Sequence, residues 1–257
     1  MIFNLYKERG ETPFECIQRF RLNNAEHRDE KWTYLGRLDP MADGVLLAAT
    51  GSDTSQERRE EFLDLDKEYE FTALFGFSTD TYDTLGKILR VEKINAEEVS
   101  ETILSRLVKT YEGEREQKYP PFSAKPINGK PMHEWARENA LEEVEIPTKT
   151  IKVHNIEFIG TQELSAKELL GRLLMDIGKV KGDFRQAETL TLWKVMLKGF
   201  IESDVKLHIG KFRASVSSGT YIRSIVNDLG NSLGLGACAL SITRTRVGTF
   251  QITESVR

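Results

Sequence analysis

Cysteine is nearly absent: only Cys16 and Cys238 occur in 257 residues. Two thiols are too few for a disulfide framework or a cysteine zinc site, and their apolar neighbours predict buried free thiols in a reducing compartment. Histidine is also scarce, and His27, His133, His154 and His208 lack zinc-site spacing. No apolar run approaches the roughly 20 residues that span a bilayer. The start, Met1-Ile2-Phe3-Asn4, is not a basic-then-apolar leader. A cytoplasmic protein with no membrane partner is therefore expected. Internal repeats and low-complexity linkers are missing, and no composition shift marks a domain boundary. A phosphate-cradling turn is missing too. Gly230, Gly234 and Gly236 follow a predicted helix, whereas such a turn needs a strand before it and a helix after it. Asp39, Asp43, Asp80 and Asp83 have no spacing that completes a divalent-ion site, so no metal and no cofactor are expected.

What remains is an ordinary globular composition, 39% hydrophobic and 30% charged, in a chain long enough to bury a substantial core. The net charge of −4 argues weakly against nucleic acid, but the distribution argues back. From Val205 to Arg257, seven basic residues face two acidic ones, while acid concentrates in Glu57–Glu70 and Glu138–Glu145. A basic surface on an acidic protein still binds a phosphate backbone, because the local field decides.

Helices and strands alternate along the chain. Thr12-Pro13-Phe14-Glu15 forms a capping box, opening an amphipathic helix that carries Phe14, Ile17 and Phe20. Val45–Thr50 reads as a buried strand and Ser52–Leu65 as a charged helix. Tyr69, Phe71, Ala73 and Phe75 alternate with polar residues, as in a strand buried on one face. Asn95 caps a helix with Val99, Ile103, Leu104, Leu107 and Val108 on its apolar face. A short helix over Lys130–Asn139 and a strand over Glu145–Ile159 follow. Ser165-Ala166-Lys167-Glu168 is a second capping box. Beyond it come a strand over Lys206–Ser217, a helix over Tyr221–Leu233, and an end read as helix then strand. This irregular mixture predicts an α+β fold with a mixed sheet, in a single domain over residues 1–257.

One segment invites a chemical reading: Tyr34-Leu35-Gly36-Arg37-Leu38-Asp39-Pro40-Met41-Ala42-Asp43-Gly44-Val45-Leu46. Flanking glycines permit backbone angles that other residues avoid, and Pro40 restricts the conformation of Asp39. The turn is suited to holding one carboxylate still, although an Asp-Pro pair by itself more often just starts a turn. Four distant segments keep it company. They are Lys67–Phe71, Ser78–Gly86, Pro120–Ala124 with Asn128-Gly129-Lys130, and Ser218–Ser224 continuing through Asp228-Leu229-Gly230 to Arg244–Gly248.

In this order and at these spacings, from about Leu5 to Phe250, the chain resembles the TruB family of RNA pseudouridine synthases. The resemblance implies the pseudouridine synthase fold, with a mainly antiparallel central sheet. It implies an isomerase that needs no cofactor and converts uridine to pseudouridine in tRNA, at position 55 of the T loop. Asp39 matches the family's essential aspartate, Tyr69 the tyrosine stacking on the target uracil, and Arg223 the arginine paired with the carboxylate. Ile242 matches an aliphatic residue beneath the base, and Asp83 an acidic residue of the surrounding charge network. Tyr34, Tyr221, Arg244 and Arg246 complete the expected substrate-binding set. The partner implied is a tRNA T stem-loop met by a monomer, and the target base must be flipped out before it reacts.

The chain departs from the family pattern in several places. Tyr34 stands where relatives have histidine, and Lys7-Glu8 replaces a Lys-Pro step. Pro126 stands where lysine is usual, Ser218 replaces a lysine, and Thr243 replaces an arginine. Residues 118–139 resemble the family's RNA-gripping thumb. An insertion of about forty residues spans 160–202, either capping the sheet edge or adding RNA contacts through Lys179, Lys181 and Arg185. Only a few residues follow Phe250, so the PUA domain frequent in the family is not expected here.

Overall fold

The alternation of Tyr69, Phe71, Ala73 and Phe75 puts all four on a buried face of the strand Lys67–Phe75. That strand lies mid-sheet in the computed structural model, which describes residues 1–257. Across the sheet the strands run Ile2–Lys7, Ala42–Thr50, Ala237–Val247, Lys67–Phe75, Lys206–Val216, Thr148–Ser165 and Gly113–Lys118. Two short strands, Trp32–Leu35 and Phe250–Gln251, join it at the side. Every pairing is antiparallel except that of Ala42–Thr50 with Ala237–Val247, where Ile242 lies opposite Ala42. The fold is the expected α+β arrangement around a mixed, mainly antiparallel sheet.

Helices cover both faces. On one, Glu101–Lys109 and Ile222–Ser232 bury Leu104, Val108, Ile225 and Leu229 against Tyr69, Phe71 and Phe212. On the other, Ala166–Gly178 and Gln186–Glu202 bury Leu169, Leu173, Trp193 and Leu197 against Leu74, Ile209 and Cys238. Both cysteines are buried and unpaired, and burial pushes both thiols above the ordinary range.

The two capping boxes form: the Thr12 and Ser165 hydroxyls accept from the amides of Glu15 and Glu168, whose side chains bond back. Phe14 departs from expectation. It is 58% exposed, and Ile17, Phe20 and Cys16 form the buried face of that helix instead. Two expected helices are interrupted. A 3-10 turn over Gly51–Thr54 precedes Gln56–Leu63, and another over Ala96–Val99 precedes Glu101–Lys109. In each case an extended serine, Ser55 or Ser100, separates the halves and starts the second one. The expected helix over 130–139 shortens to Met132–Arg137, behind a small hairpin pairing Pro126–Ile127 with Lys130–Pro131. The chain end is corrected as well. Ala237–Val247 is one long strand, followed by Phe250–Gln251 and a 3-10 turn at Ile252–Glu254. Its apolar and β-branched residues are held between two strands, and such tertiary pairing overrides a local reading.

The segment 160–202 continues the sheet and then covers it. Gly160–Ser165 extends the Thr148–Ser165 strand along Lys206–Lys211, and the two helices follow.

Gly44 shows how closely the Asp39 turn meets the sheet. Its φ is +105°, and a Cβ there would lie 2.3 Å from the Arg244 carbonyl oxygen. Gly44→Ala is expected to cost about 2–4 kcal/mol, from backbone strain plus a clash that neither strand can relieve. Urea unfolding of the variant measures this loss; a change below about 0.5 kcal/mol, the size of an ordinary surface substitution, contradicts the close approach.

Candidate active site

Asp39 and Arg223 lie 184 residues apart in sequence and meet in space: Arg223 Nε donates to Asp39 Oδ2 at 2.7 Å. The two are unequally buried, the Arg223 side chain being 4% exposed and that of Asp39 38%. Arg223 sits in the first turn of Ile222–Ser232 and is fixed at every nitrogen. Nη1 donates to the Thr81 carbonyl at 2.5 Å, Nη2 to the Phe122 carbonyl at 3.3 Å, and Nε also lies 3.7 Å from Asp83 Oδ2. A planar guanidinium with several fixed acceptors orients a carboxylate in a way that lysine does not match.

Asp83 lies behind this pair. Thr81 Oγ1 donates to its Oδ1 at 2.6 Å and the Leu85 amide at 3.0 Å. Burial pushes the Asp83 carboxyl above the usual carboxylate range, against the pull of Arg223 and the Thr81 hydroxyl. Burial also opposes the Arg223 cation, but Asp39 and Asp83 hold its pKa above the ordinary arginine value. The loop carrying Asp83 is tight. Tyr82 has φ +64°, and its carbonyl accepts from the Ala239 amide at 2.9 Å. A Cβ on Gly86 would lie 2.4 Å from Thr81 Oγ1.

The pair opens into a cleft of about 800 Å³. Tyr69 and Ile242 face it from neighbouring strands, Tyr34 and Tyr221 from its sides, and Phe122 and His133 from the thumb-like segment. Besides Arg223, its cations are Arg37, Lys67, Arg137, Lys149, Arg185 and Arg244. Eight of the nine expected site residues thus gather here. Arg246 does not line the cleft; its guanidinium pairs with Glu68 at 2.6 Å and with the Gly248 carbonyl. Arg244 lines the cleft but mainly holds backbone, donating to the Val45 carbonyl at 2.7 Å and the Arg37 carbonyl at 3.0 Å. Its buried Nη2 has no protein acceptor.

Three lysines of this region escaped the sequence reading as site residues. Lys7 is fully buried beneath the Asp39 turn, with Nζ donating to the carbonyls of Ala42 at 2.6 Å and Pro40 at 3.4 Å. Burial pulls its ammonium down to about 8, with Asp39 opposing. Lys67 donates to the Leu63 carbonyl and to Ser218 Oγ, and Lys149 to the Ser218 carbonyl at 2.8 Å. Burial, and then the neighbouring Arg244 and Lys149 charges, bring Lys67 down to about 8. Positive charge therefore surrounds Ser218 even though lysine is absent at that position. Lys67 was discoverable: it precedes Tyr69 by two residues on one strand and so faces the same side. Lys149 gave no local signal.

The segment 160–202 reaches the same centre. Arg9 bridges Asp43 of the Asp39 turn at 3.3 Å and Asp176 of the helix Ala166–Gly178 at 2.8 Å. Trp193 Nε1 donates to the Thr84 carbonyl and Thr189 Oγ1 to the Leu85 carbonyl, both at 3.1 Å.

Residues 24–182 match the family model described as TruB family pseudouridylate synthase (N terminal domain). The chain is 31% identical over 250 residues to tRNA pseudouridine synthase B of Lactobacillus gasseri, covering 97% of this chain and 69% of that protein. It is 29% identical over 255 residues to the protein of the same name from Clostridium tetani, covering 99% and 70%. Among solved structures, a Cbf5-Nop10-Gar1 complex contains a chain that superposes with a TM-score of 0.57 at 22% identity, covering 97% of this chain and 49% of that one. An H/ACA RNP bound to a substrate RNA containing 2′-deoxyuridine gives a TM-score of 0.53 at 20% identity, with 97% and 48% covered. The chain thus spans about half the length of these structural neighbours, and at such identities the likeness concerns the fold.

Proposed function

Because the chain belongs to the TruB family of pseudouridylate synthases, we propose that it converts uridine to pseudouridine in tRNA, at position 55 of the T loop, with Asp39 as the catalytic carboxylate. The observation that carries this reading is the Asp39–Arg223 pair, 2.7 Å apart at the base of a cleft shared with Tyr69 and Ile242. Isomerisation breaks the N1–C1′ bond, turns the uracil, joins C5 to C1′ and releases the C5 proton. It needs no redox carrier. An ionised, oriented carboxylate serves in either available role, as nucleophile on sugar or base or as base toward a sugar proton.

Arg223 holds that carboxylate, and Asp83 and Thr81 hold Arg223. Tyr69 stacks on the extruded uracil while Ile242 supports it from the sheet. Extrusion costs a few kcal/mol, which phosphate contacts and an aromatic taking the place of the base offset. Arg37 and Lys149, which line the cleft, meet the phosphates, and the Tyr34 ring fills the vacated stack.

The test is an unmodified tRNA transcript incubated with the protein, then mapped by carbodiimide labelling and primer extension. One new stop in the T loop is expected. A stop elsewhere, or only in another RNA, moves the target, an outcome that tyrosine at position 34 would help to explain. Binding with no stop in any RNA leaves a non-catalytic RNA-binding protein.

A further inference from the structure

The inserted helix Gln186–Glu202 and the residue before it present side chains at a spacing of four toward a single loop. Arg185 reaches Asp80, Thr189 the Leu85 carbonyl and Trp193 the Thr84 carbonyl. Thr189 and Trp193, four apart, share one helix face, and Arg185, just ahead of the helix, adds a third contact to the same loop. The loop it braces carries Asp83 and the Thr81 carbonyl, both on Arg223.

Trp193 and Thr189 are fully buried and serve the core, whereas Arg185 sits at the cleft rim and does more. Its guanidinium makes two bonds to Asp80, Nη1 to Oδ2 at 2.7 Å and Nη2 to Oδ1 at 3.2 Å. The same group lies 4.3 Å from the ring centroid of Phe122, in the thumb-like segment. The Phe122 carbonyl in turn accepts from Arg223. Two arginines therefore join the same pair of segments, Arg223 at the base and Arg185 at the rim. Arg185 also has φ +62°, a conformation that costs a non-glycine residue energy and persists only where its surroundings impose it. A second tie, Arg137 to the Asp183 carboxylate and carbonyl, joins the thumb-like helix to the same stretch. Arg137 and Asp183 are 40% and 80% exposed, so that tie adds little alone.

We propose that Arg185 is a positioning residue that fastens the thumb-like segment to the Asp80–Leu85 loop before RNA arrives. The insertion thereby preorganises the cleft rim, and less ordering remains to be done when the substrate binds. Arg185 is accordingly committed to protein and is not a phosphate contact. The consequence for substrate rests on the uridine-isomerase reading; the fastening itself does not.

The experiment pairs hydrogen exchange on the RNA-free protein with steady-state kinetics, for wild type, Arg185→Ala and Arg185→Lys. In Arg185→Ala, amides over 122–133 are expected to exchange at least about tenfold faster, while those of Lys206–Val216 keep wild-type rates, marking a local opening. KM for the RNA is expected to rise about tenfold with kcat within about threefold, and Arg185→Lys to recover little, because an ammonium reproduces neither the fork to Asp80 nor the stack on Phe122. Unchanged exchange over 122–133 overturns the proposal, as does full recovery by Arg185→Lys, which would make Arg185 a simple charge for phosphate. If no RNA is turned over, the exchange result still decides the fastening and the failure belongs to the isomerase reading.

Discussion

Asp39→Asn is expected to lower single-turnover pseudouridine formation by at least about 10³-fold, the scale of losing an essential charged group in a positioned site. The amide keeps the shape of the carboxylate but can neither attack carbon nor take a proton. RNA affinity should stay within about threefold, since phosphates and the stacked base supply most of the binding. The fold should hold, because Asp39 is the more exposed partner of its ion pair and Arg223 keeps Asp83 and two backbone carbonyls. Filter binding and thermal unfolding beside the kinetics separate these effects. Turnover within about tenfold of wild type contradicts the assignment of Asp39, as such a loss fits a peripheral contact.

Arg223→Ala should be costly in a different way. It removes the cation from a buried site and leaves Asp83, 7% exposed in its side chain, without an opposite charge. Breaking a buried pair from one side costs about 3–5 kcal/mol, and the carbonyls of Thr81 and Phe122 lose their donor as well. Denaturant unfolding should show that loss. Turnover should fall by about 10²-fold or more as the carboxylate loses its orientation, with a much smaller change in RNA affinity. Arg223→Lys should recover part of the stability through charge and little turnover, because a single ammonium cannot hold four acceptors in one plane. Equal losses of affinity and turnover in Arg223→Ala would instead make Arg223 a phosphate contact.

These two residues were legible to different degrees. The glycines and proline around Asp39 marked a turn able to fix a carboxylate, but nothing local tied it to an arginine 184 residues away. That link came from the order of five motifs and is met by the 2.7 Å contact. Tyr69 was readable from strand alternation, which placed its face correctly. Arg244 and Arg246 were read alike because they share a motif, yet the sheet register separates them. Arg246 lies opposite Glu68, which neutralises it, while Arg244 turns inward to backbone carbonyls. Such partners are invisible until the strands are in register. Lys7 was hidden for the same reason: its acceptors are carbonyls of Pro40 and Ala42, and no sequence pattern announces a carbonyl.

The segment 160–202 was the least legible part. Its capping box and leucine periodicity were correct signals for the Ala166–Gly178 helix, which begins and packs as they required. Its basic residues, however, gave no sign of which were solvent-facing. Arg185 is paired with Asp80, while Lys179 is exposed with its stem packed against Gly10. Only the three-dimensional meeting with the Asp80–Leu85 loop distinguishes a brace from a basic patch.

The central claim is that Asp39 isomerises a T-loop uridine, and tritium release from uracil C5 tests it most directly. A T stem-loop transcript labelled at C5 is mixed with excess wild-type protein and, in parallel, with Asp39→Asn. One tritium released per RNA molecule by wild type and none above background by the variant is the predicted result. Tight binding of the stem-loop with no release by either protein, or equal release by both, would contradict it.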